Sequence, residues 1–334
     1  MNHSASPTRA VAGLTSSDRV AWLTPSDCGA WLTPSDRVEG LTPIFVSEIP
    51  RYALYLLERA HHLQNRLVSH GYDAPLIIGN GGAIETSRNH ILSLCGQRPA
   101  GIVWVCISWF GNGFTPILER YCANGGELVC LDWQQGEKLP TGASGVKFDR
   151  FHNSFTVTEH LVNLGHRSLG VFLGVKGSHD VGDHPRSLGV RKACEGVREG
   201  EAPVQIRWFD LPFFPGPSAG VAVAEEFLAI APADRPTAMV LLNDRTAMAF
   251  MARVQASGVR IPEDVSVVGH DDDEMSTFFP VPLTTVTHPH RVLAESAADM
   301  MHRQIGGQKE EGESVIEVRG ELIVRASTAP PRSC

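Results

Sequence analysis

The sequence lacks any long hydrophobic run. None of its segments reaches about 18 consecutive apolar residues, which is the length that a membrane-spanning helix needs. The first residues, MNHSASPTRAVAGLTSSD, also have no apolar stretch of the kind that a secretion signal carries. We therefore expect a protein that is not exported and not inserted in a membrane, and so a cytoplasmic one.

Paired cysteines and an excess of basic charge are missing as well. The seven cysteines are widely spaced, include no C-x-x-C pair, and mostly lie in apolar contexts such as GIVWVCI. This pattern favours reduced thiols in a core over disulfides or a zinc site. The 29 Lys and Arg residues are outnumbered by 37 Asp and Glu residues, and the net charge is −8. The overall charge therefore does not indicate nucleic acid or an anionic membrane as a partner.

Sequence signatures of catalysis are also absent. The chain contains no G-x-S-x-G or H-E-x-x-H motif, and we find no nucleophile–base pair. The stretch GNGGAIET at 79–86 lacks the G-x-G-x-x-G spacing of a dinucleotide cradle and is more typical of a helix-capping loop. His288 and His290 form an H-P-H segment, but no third metal ligand stands at a useful spacing. We expect no enzyme activity, no metal and no cofactor.

The first 42 residues differ from the rest in composition and sequence pattern. Three nonapeptides, LTSSDRVAW, LTPSDCGAW and LTPSDRVEG, follow one another without a gap. Three copies of so short a unit are too few for a solenoid, and their prolines interrupt any helical periodicity. We expect residues 1–42 to form a flexible or loosely packed extension.

From residue 43 onwards, short apolar strands alternate with amphipathic helices. The helix predicted over 51–70 is the clearest example, because Leu56, Ala60, Leu63 and Leu67 share one of its faces. Apolar strands that do not alternate with polar residues are typical of parallel sheets covered by helices on both faces. About ten such units exceed one sheet. The sequence therefore predicts an α/β fold of two Rossmann-like lobes, with a break near Asp149.

Polar residues follow several of the predicted strands. The acidic run in VVGHDDDEM places Asp271–Asp273 directly after a strand, and Asp132, Asn243 and Glu48 follow the strands LVCL, VLL and IFV. Because ligands bind at the carboxyl ends of parallel strands, these side chains are candidates for a common binding cleft. Asp and Asn at such positions also commonly cap the next helix, so both roles stay open for each residue.

Several longer motifs resemble a known family. They are the segment NDRTAMAFMARVQASGVRIPEDVSVVGHDDDEMSTFFPVPLTTVTHP, the segments TEHLVNLGHRSLGVFLG at 158–174 and RSLGV at 186–190, and the terminal GELIVRASTAPP. In this order they resemble the sensor domain of the lactose/galactose-repressor (LacI/GalR) family, over about residues 43–331. The likeness is stronger after residue 150 than before it.

The resemblance implies a fold like that of periplasmic sugar-binding proteins, with two lobes joined by three crossovers and a small ligand between them. We place the N-terminal lobe at 43–149 plus 283–319, and the C-terminal lobe at 150–282 plus 320–330. The crossovers are then expected near 149–151, near 279–283 and near 319–321. Family sensors pair through the first lobe, so the resemblance also implies a homodimer.

The matching motifs imply four ligand contacts. Asp271 corresponds to the family's carboxylate that binds ligand hydroxyls, and Asn243 to its ligand-contacting asparagine. Arg186 corresponds to the arginine that holds the ligand from the second lobe, and Asp132 to an acidic contact. Carboxylates accept hydroxyl protons and a guanidinium donates in a planar fork, so this set suits a sugar-like ligand.

Two further residues are implied less directly. His288 stands where the family often has glutamine, which should alter specificity. Trp208, in IRWFDLPFF, lies near the family's aromatic residue that packs on the ligand, although packing in the core is the more common role for such a residue.

The family's helix-turn-helix, which enters the major groove, has no counterpart in the sequence. Three arginines in residues 1–42 are offset by four acidic residues, so this segment presents no cationic surface for phosphates. We expect a sugar-sensing transcriptional regulator that contacts DNA only if a longer chain or a partner supplies the reader domain. The alternatives are a transport-type solute receptor and an enzyme using Asp271–Asp273, with or without magnesium.

Overall fold

The structure is a computed structural model, and it describes most of the chain after residue 41. The described residues are 42, 44–46, 55–78, 84–97, 99–105, 114–133, 138–174, 184–197, 200–211, 216–308 and 315–332. The nonapeptide repeats and Glu48, a predicted ligand contact, lie outside these residues.

Strands and helices alternate along the described chain. The strands are β1 (Ile44–Val46), β2 (Leu76–Ile78), β3 (Gly101–Val105), β4 (Glu127–Leu131), β5 (Ser144–Phe148), β6 (Ser168–Phe172), β7 (Gln205–Trp208), β8 (Ala238–Leu241), β9 (Ser266–Val268), β10 (Thr285–Val286), β11 (Val315–Val318) and β12 (Leu322–Ile323). The helices are α1 (Tyr55–Ser69), α2 (Ile84–Gly96), α3 (Thr115–Ala123), α4 (Arg150–Asn163), α5 (Pro185–Glu195), α6 (Pro217–Ala229), α7 (Asp244–Gln255), α8 (Met275–Phe278) and α9 (His290–Ile305). None of these described helices combines the length and the apolar character that crossing a membrane requires.

The first lobe is built on a sheet of parallel strands in the order β11-β5-β4-β3-β1-β2. Its central strand β3 is buried along its whole length, which explains its uninterrupted apolar sequence GIVWV. Val103 and Val105 pack into a core with α1 and α9, whereas Ile102 and Trp104 pack into a second core with α2 and α3. Helices therefore cover both faces of this sheet, as the sequence predicts.

The second lobe repeats this plan on a parallel sheet in the order β7-β6-β8-β9. One face packs on α4 and α5 and the other on α6 and α7. The antiparallel pair β10–β12 extends the sheet, because Thr284 forms a bridge to Val268 of β9. The predicted α/β fold with two parallel-sheet lobes is confirmed.

The chain passes between the lobes at three places. It leaves the first sheet after β5 and enters α4, it returns between β10 and α9, and it leaves again between β11 and β12. The expected second crossover at 279–283 is wrong. Gly269 N donates to Thr284 O at 3.0 Å and Asp271 N donates to Val286 O at 2.9 Å, which keeps residues 284–286 with the second sheet. The other lobe boundaries stay predictions.

Gly189 allows α4 and α5 to approach closely. A Cβ at this position would overlap the backbone carbonyl oxygen of Phe151 and would lie 2.9 Å from the backbone nitrogen of Phe155. Since those are backbone atoms, they cannot move aside as the end of a flexible side chain can. The contact matters for function because α4 begins with Arg150 and α5 carries Arg186.

We predict that Gly189→Ala destabilises the protein by about 1–3 kcal/mol, the usual cost of overpacking a tight contact. Chemical denaturation monitored by circular dichroism measures this difference. Gly306→Ala is the matched control, because the nearest atoms to its Cβ lie 3.4 and 3.5 Å away and its φ of −74° suits any residue. Equal stability of the two variants would show that α4 and α5 do not depend on Gly189.

Candidate functional site: an ion-paired cluster between the lobes

Asp132 follows β4 and lies at the junction of the two lobes. Its backbone N donates to Val146 O at 2.8 Å, and its φ of 57° turns the chain sharply at the end of the strand. The carboxylate Oδ2 accepts a hydrogen bond from Arg59 Nη1 of α1 at 2.8 Å. Its Oδ1 lies 2.8 Å from Arg150 Nη1, at the start of α4 in the second lobe. Asp132 therefore bridges elements of both lobes.

In this ion-paired group, Arg59–Asp132–Arg150, the first two side chains are almost fully buried and the third is partly exposed. The side chain of Arg59 is 0% exposed, that of Asp132 is 5% exposed and that of Arg150 is 25% exposed. Burial alone would raise the pKa of Asp132, but Arg150, Arg59 and His288 together hold it well below its usual range. The carboxylate therefore stays ionised throughout the physiological pH range.

Two histidines also lie next to the guanidinium of Arg59. The rings of His288 and His290 stack with centroids 4.0 Å apart, and His288 also stacks on Phe148 at 4.0 Å. Arg59 Nη2 lies 3.4 Å from His288 Nε2 and 3.4 Å from His290 Nδ1. Burial, together with the neighbouring histidine and arginine charges, lowers the pKa of His288 well below its ordinary value, and burial lowers that of His290 to about 3. Both rings are therefore neutral at pH 7.

The acidic run after β9 separates into two kinds of residue. Asp272 Oδ1 accepts from Arg325 Nη2 at 2.6 Å, and Asp273 Oδ2 accepts from Arg245 Nε at 2.9 Å. Burial raises the pKa of Asp271, and the charge of Arg186 opposes this rise. Asp271 therefore lies within electrostatic reach of the second-lobe arginine, whereas its two neighbours hold the turn together.

Asp271 has a strained backbone that a second carboxylate helps to hold. Its φ is 103° and that of Asp272 is 56°, in the left-handed region that residues other than glycine rarely adopt. Buried Asp244 accepts from Thr285 Oγ1 at 2.6 Å and from Asp273 N at 2.8 Å, so it ties the turn to β10. Burial raises the pKa of Asp244 well above its ordinary value. Such over-determined strain is common where a side chain must be aimed at a ligand.

Asn243 and Arg186 meet at the end of β8. The side chain of Asn243 accepts a hydrogen bond from Thr246 N at 2.9 Å and caps α7, as an Asx residue at a strand end commonly does. Arg186 Nη1 donates to the carbonyl oxygen of Leu242 at 2.7 Å. The guanidinium is thus fixed beside Asn243, and its charge acts on Asp271.

Trp208 lies in different surroundings. It is the last residue of β7, packs against the core formed with α4 and α5, and has the guanidinium carbon of Arg191 at 5.1 Å from its ring centre. These contacts give Trp208 a packing role. Its contact with a ligand stays a prediction.

The structure adds residues that the sequence reasoning missed, namely Arg59, Arg150, His184 and His290. Burial and the charges of Arg186 and Arg150 together lower the pKa of His184 to about 4. Arg59 carried a usable signal, because it stands on the apolar face of α1, three residues after Leu56 and four before Leu63. A charged residue in such a stripe indicates a buried ion pair.

Two parallel-sheet lobes with charged groups at their junction define a ligand-binding domain of the periplasmic-binding-protein type. The family model of the periplasmic binding protein-like domain matches residues 158–328. A relative, the HTH-type transcriptional repressor PurR of Salmonella arizonae, is 30% identical over 279 residues, covering 83% of this chain and 77% of the relative. The chain belongs to the LacI/GalR family of transcriptional regulators and carries the family's sensor domain.

Solved structures show the same fold. The dimeric Lac repressor with an 11-residue C-terminal deletion has a TM-score of 0.67 at 23% identity, covering 87% of this chain and 100% of that one. A complex of the transcriptional regulator CelR with cellobiose has a TM-score of 0.69 at 23% identity, covering 87% of this chain and 85% of that one. At 23% identity these two similarities support a shared fold and nothing more specific.

We predict that stability falls as the pH drops from about 6.5 towards 4. Burial lowers the pKa of His270 to about 3 and that of His184 to about 4, whereas unfolding restores ordinary values near 6.5. Below pH 6.5 the unfolded chain therefore binds more protons than the folded chain. For each histidine, the free energy of unfolding falls by about 1.4 kcal/mol for each unit by which its folded pKa lies below its unfolded pKa. Urea titrations at successive pH values measure the slope.

Replacing His270 by Gln should flatten this pH dependence, since that ring is 2% exposed. His61→Gln, at an exposed position on α1, is the control that should retain the wild-type slope. A stability that does not change between pH 7 and pH 4 would contradict the assignment of neutral, buried imidazoles.

Proposed function

We propose that this chain senses a small hydroxyl-rich ligand, a sugar or a related compound, bound between its two lobes, and that it regulates transcription in response. The observation that carries the proposal is the link between Asp271 and the ion-paired group at the junction. His288 N donates to the carbonyl oxygen of Asp271 at 3.2 Å, and His288 Nε2 lies 3.4 Å from Arg59 Nη2. Charged groups from separate strand ends meet where a parallel α/β fold binds its ligands.

The chemistry of these groups suits such a ligand. The carboxyl oxygens of Asp271 accept hydrogen bonds from hydroxyl groups, and Arg186 donates to oxygen atoms in a fixed plane. CelR, whose complex contains cellobiose, offers a precedent with the same fold. A ligand that contacts both lobes stabilises one relative orientation of them, which is how binding would be transmitted to the rest of a regulator.

The rival functions have less support. In the enzyme alternative Asp271–Asp273 act together, but Asp272 and Asp273 are ion-paired with Arg325 and Arg245. The named relative of this chain is a transcriptional repressor, which favours a regulator over a transport receptor. A homodimer stays a prediction; Leu57 and Val68 on α1, 39% and 56% exposed, are consistent with it.

We predict that at least one of a fixed set of sugars raises the melting temperature of the protein, and that Asp271→Asn removes most of this shift. The set is D-ribose, D-glucose, D-galactose and cellobiose, together with ribose 5-phosphate, D-glucuronate and D-galacturonate. A ligand that binds only the folded state stabilises it by mass action. Loss of a charge-assisted hydrogen bond should weaken binding by about 1.5–3 kcal/mol, roughly tenfold or more.

Glu225→Gln is the matched control, because this carboxylate belongs to an exposed ion pair with Arg253 between α6 and α7, and it should keep the shift. The proposal fails if no member of the set stabilises the protein. It fails equally if Asp271→Asn responds to the sugars as the wild type does.

A further inference from the structure

Asp132 does not have the surroundings of a residue that binds ligand hydroxyls. Both of its carboxylate oxygens lie 2.8 Å from an arginine nitrogen, and Phe148 N donates to Oδ1 at 3.4 Å. Only 5% of the side chain is exposed. A carboxylate engaged on both oxygens and almost closed to solvent has little capacity left for hydroxyl groups.

We infer that Arg150 is the residue that contacts the ligand at the junction, and that Asp132 is its positioning residue. The group of the ligand that Arg150 binds is anionic, a carboxylate or a phosphate. This inference rests on the proposed function and adds to it the chemical class of the ligand. At this side of the cleft the ligand would therefore accept hydrogen bonds from Arg150, whereas the family resemblance implies that it donates them to Asp132.

Two neighbours position Arg150 for this role. Asp132 fixes one of its terminal nitrogens, and the ring of Phe148 lies 5.9 Å from the guanidinium carbon. The positive charge of Arg150 acts to lower the pKa of both Asp271 and His184 in the second lobe. At 25% exposure it is accessible, whereas Arg59 behind it is fully buried. A guanidinium fixed in one plane suits the paired oxygens of a carboxylate or phosphate.

The charges of the described cluster favour an anion. Arg59 and Arg150 share the one carboxylate of Asp132, so this ion-paired group carries a net positive charge. The histidines of the cluster are neutral at pH 7, since burial lowers their pKa values. An anionic group at Arg150 and hydroxyl groups at Asp271 describe a sugar acid or a sugar phosphate.

The experiment compares matched pairs of neutral and acidic sugars by thermal shift and by titration calorimetry. The pairs are D-glucose with D-glucuronate, D-galactose with D-galacturonate, and D-ribose with ribose 5-phosphate. We expect an acid to bind at least tenfold more tightly than its neutral partner, with an affinity that falls as salt is added. A response to the uronates identifies a carboxylate ligand, and a response to ribose 5-phosphate identifies a phosphate ligand.

Arg150→Gln should abolish the preference for the acid, so that both members of a pair bind alike. Arg150→Lys keeps the charge without the planar fork and should restore part of the preference, which tests the inference even if the glutamine variant folds poorly. Arg253→Gln is the control, because it removes an arginine charge from an exposed ion pair between α6 and α7. This control should bind as the wild type does.

The outcomes separate the inference from the function on which it rests. Neutral sugars that bind as well as their acids, in a manner dependent on Asp271, would overturn the inference and leave the proposed function intact. An acid preference that Arg150→Gln leaves unchanged would also overturn it. If no compound binds at all, both are contradicted.

Discussion

Arg59 has no exposure to solvent, and a buried guanidinium without a counter-charge would cost several kcal/mol. Asp132 supplies that counter-charge, and because its other oxygen pairs with Arg150, the same carboxylate also connects α1 of the first lobe to α4 of the second. The neutral rings of His288 and His290 complete the enclosure of Arg59 from the segment that returns to the first lobe. The geometry of the junction thus depends on one carboxylate that the two arginines share.

Further contacts hold the other residues of the site in place. Arg150 stands at the first position of α4, which is capped by Asp149 through His152 N at 2.9 Å. Helix α5, which carries Arg186, is held against α4 by the close approach at Gly189. The strained turn at Asp271 is tied down by Asp244 and by two ion pairs. Each of these groups is held by contacts within the protein, and binding groups that are held in this way lower the entropy cost of binding.

The fold could be predicted because its signals are local. Uninterrupted apolar strands such as GIVWV, followed by amphipathic helices, leave few alternatives to a parallel sheet covered on both faces. The position of the second crossover could not be predicted, because it depends on the pairing of β10 with β12, which involves residues far apart in sequence. The ion pairs of Asp132 could not be predicted for the same reason, since its partners Arg59 and Arg150 come from distant helices. Spacing along the chain carries no information on such contacts, although a lone arginine on the apolar face of α1 did indicate one.

A double-mutant cycle between Asp132 and Arg150 tests the central claim most directly, because it needs no ligand. The free energy of unfolding is measured for the wild type, Asp132→Asn, Arg150→Gln and the double variant. Since the two groups form a close, mostly buried ion pair between the lobes, we predict a coupling energy of about 1–3 kcal/mol. A coupling energy within about 0.5 kcal/mol of zero would contradict the account, because it would show that the two residues act independently.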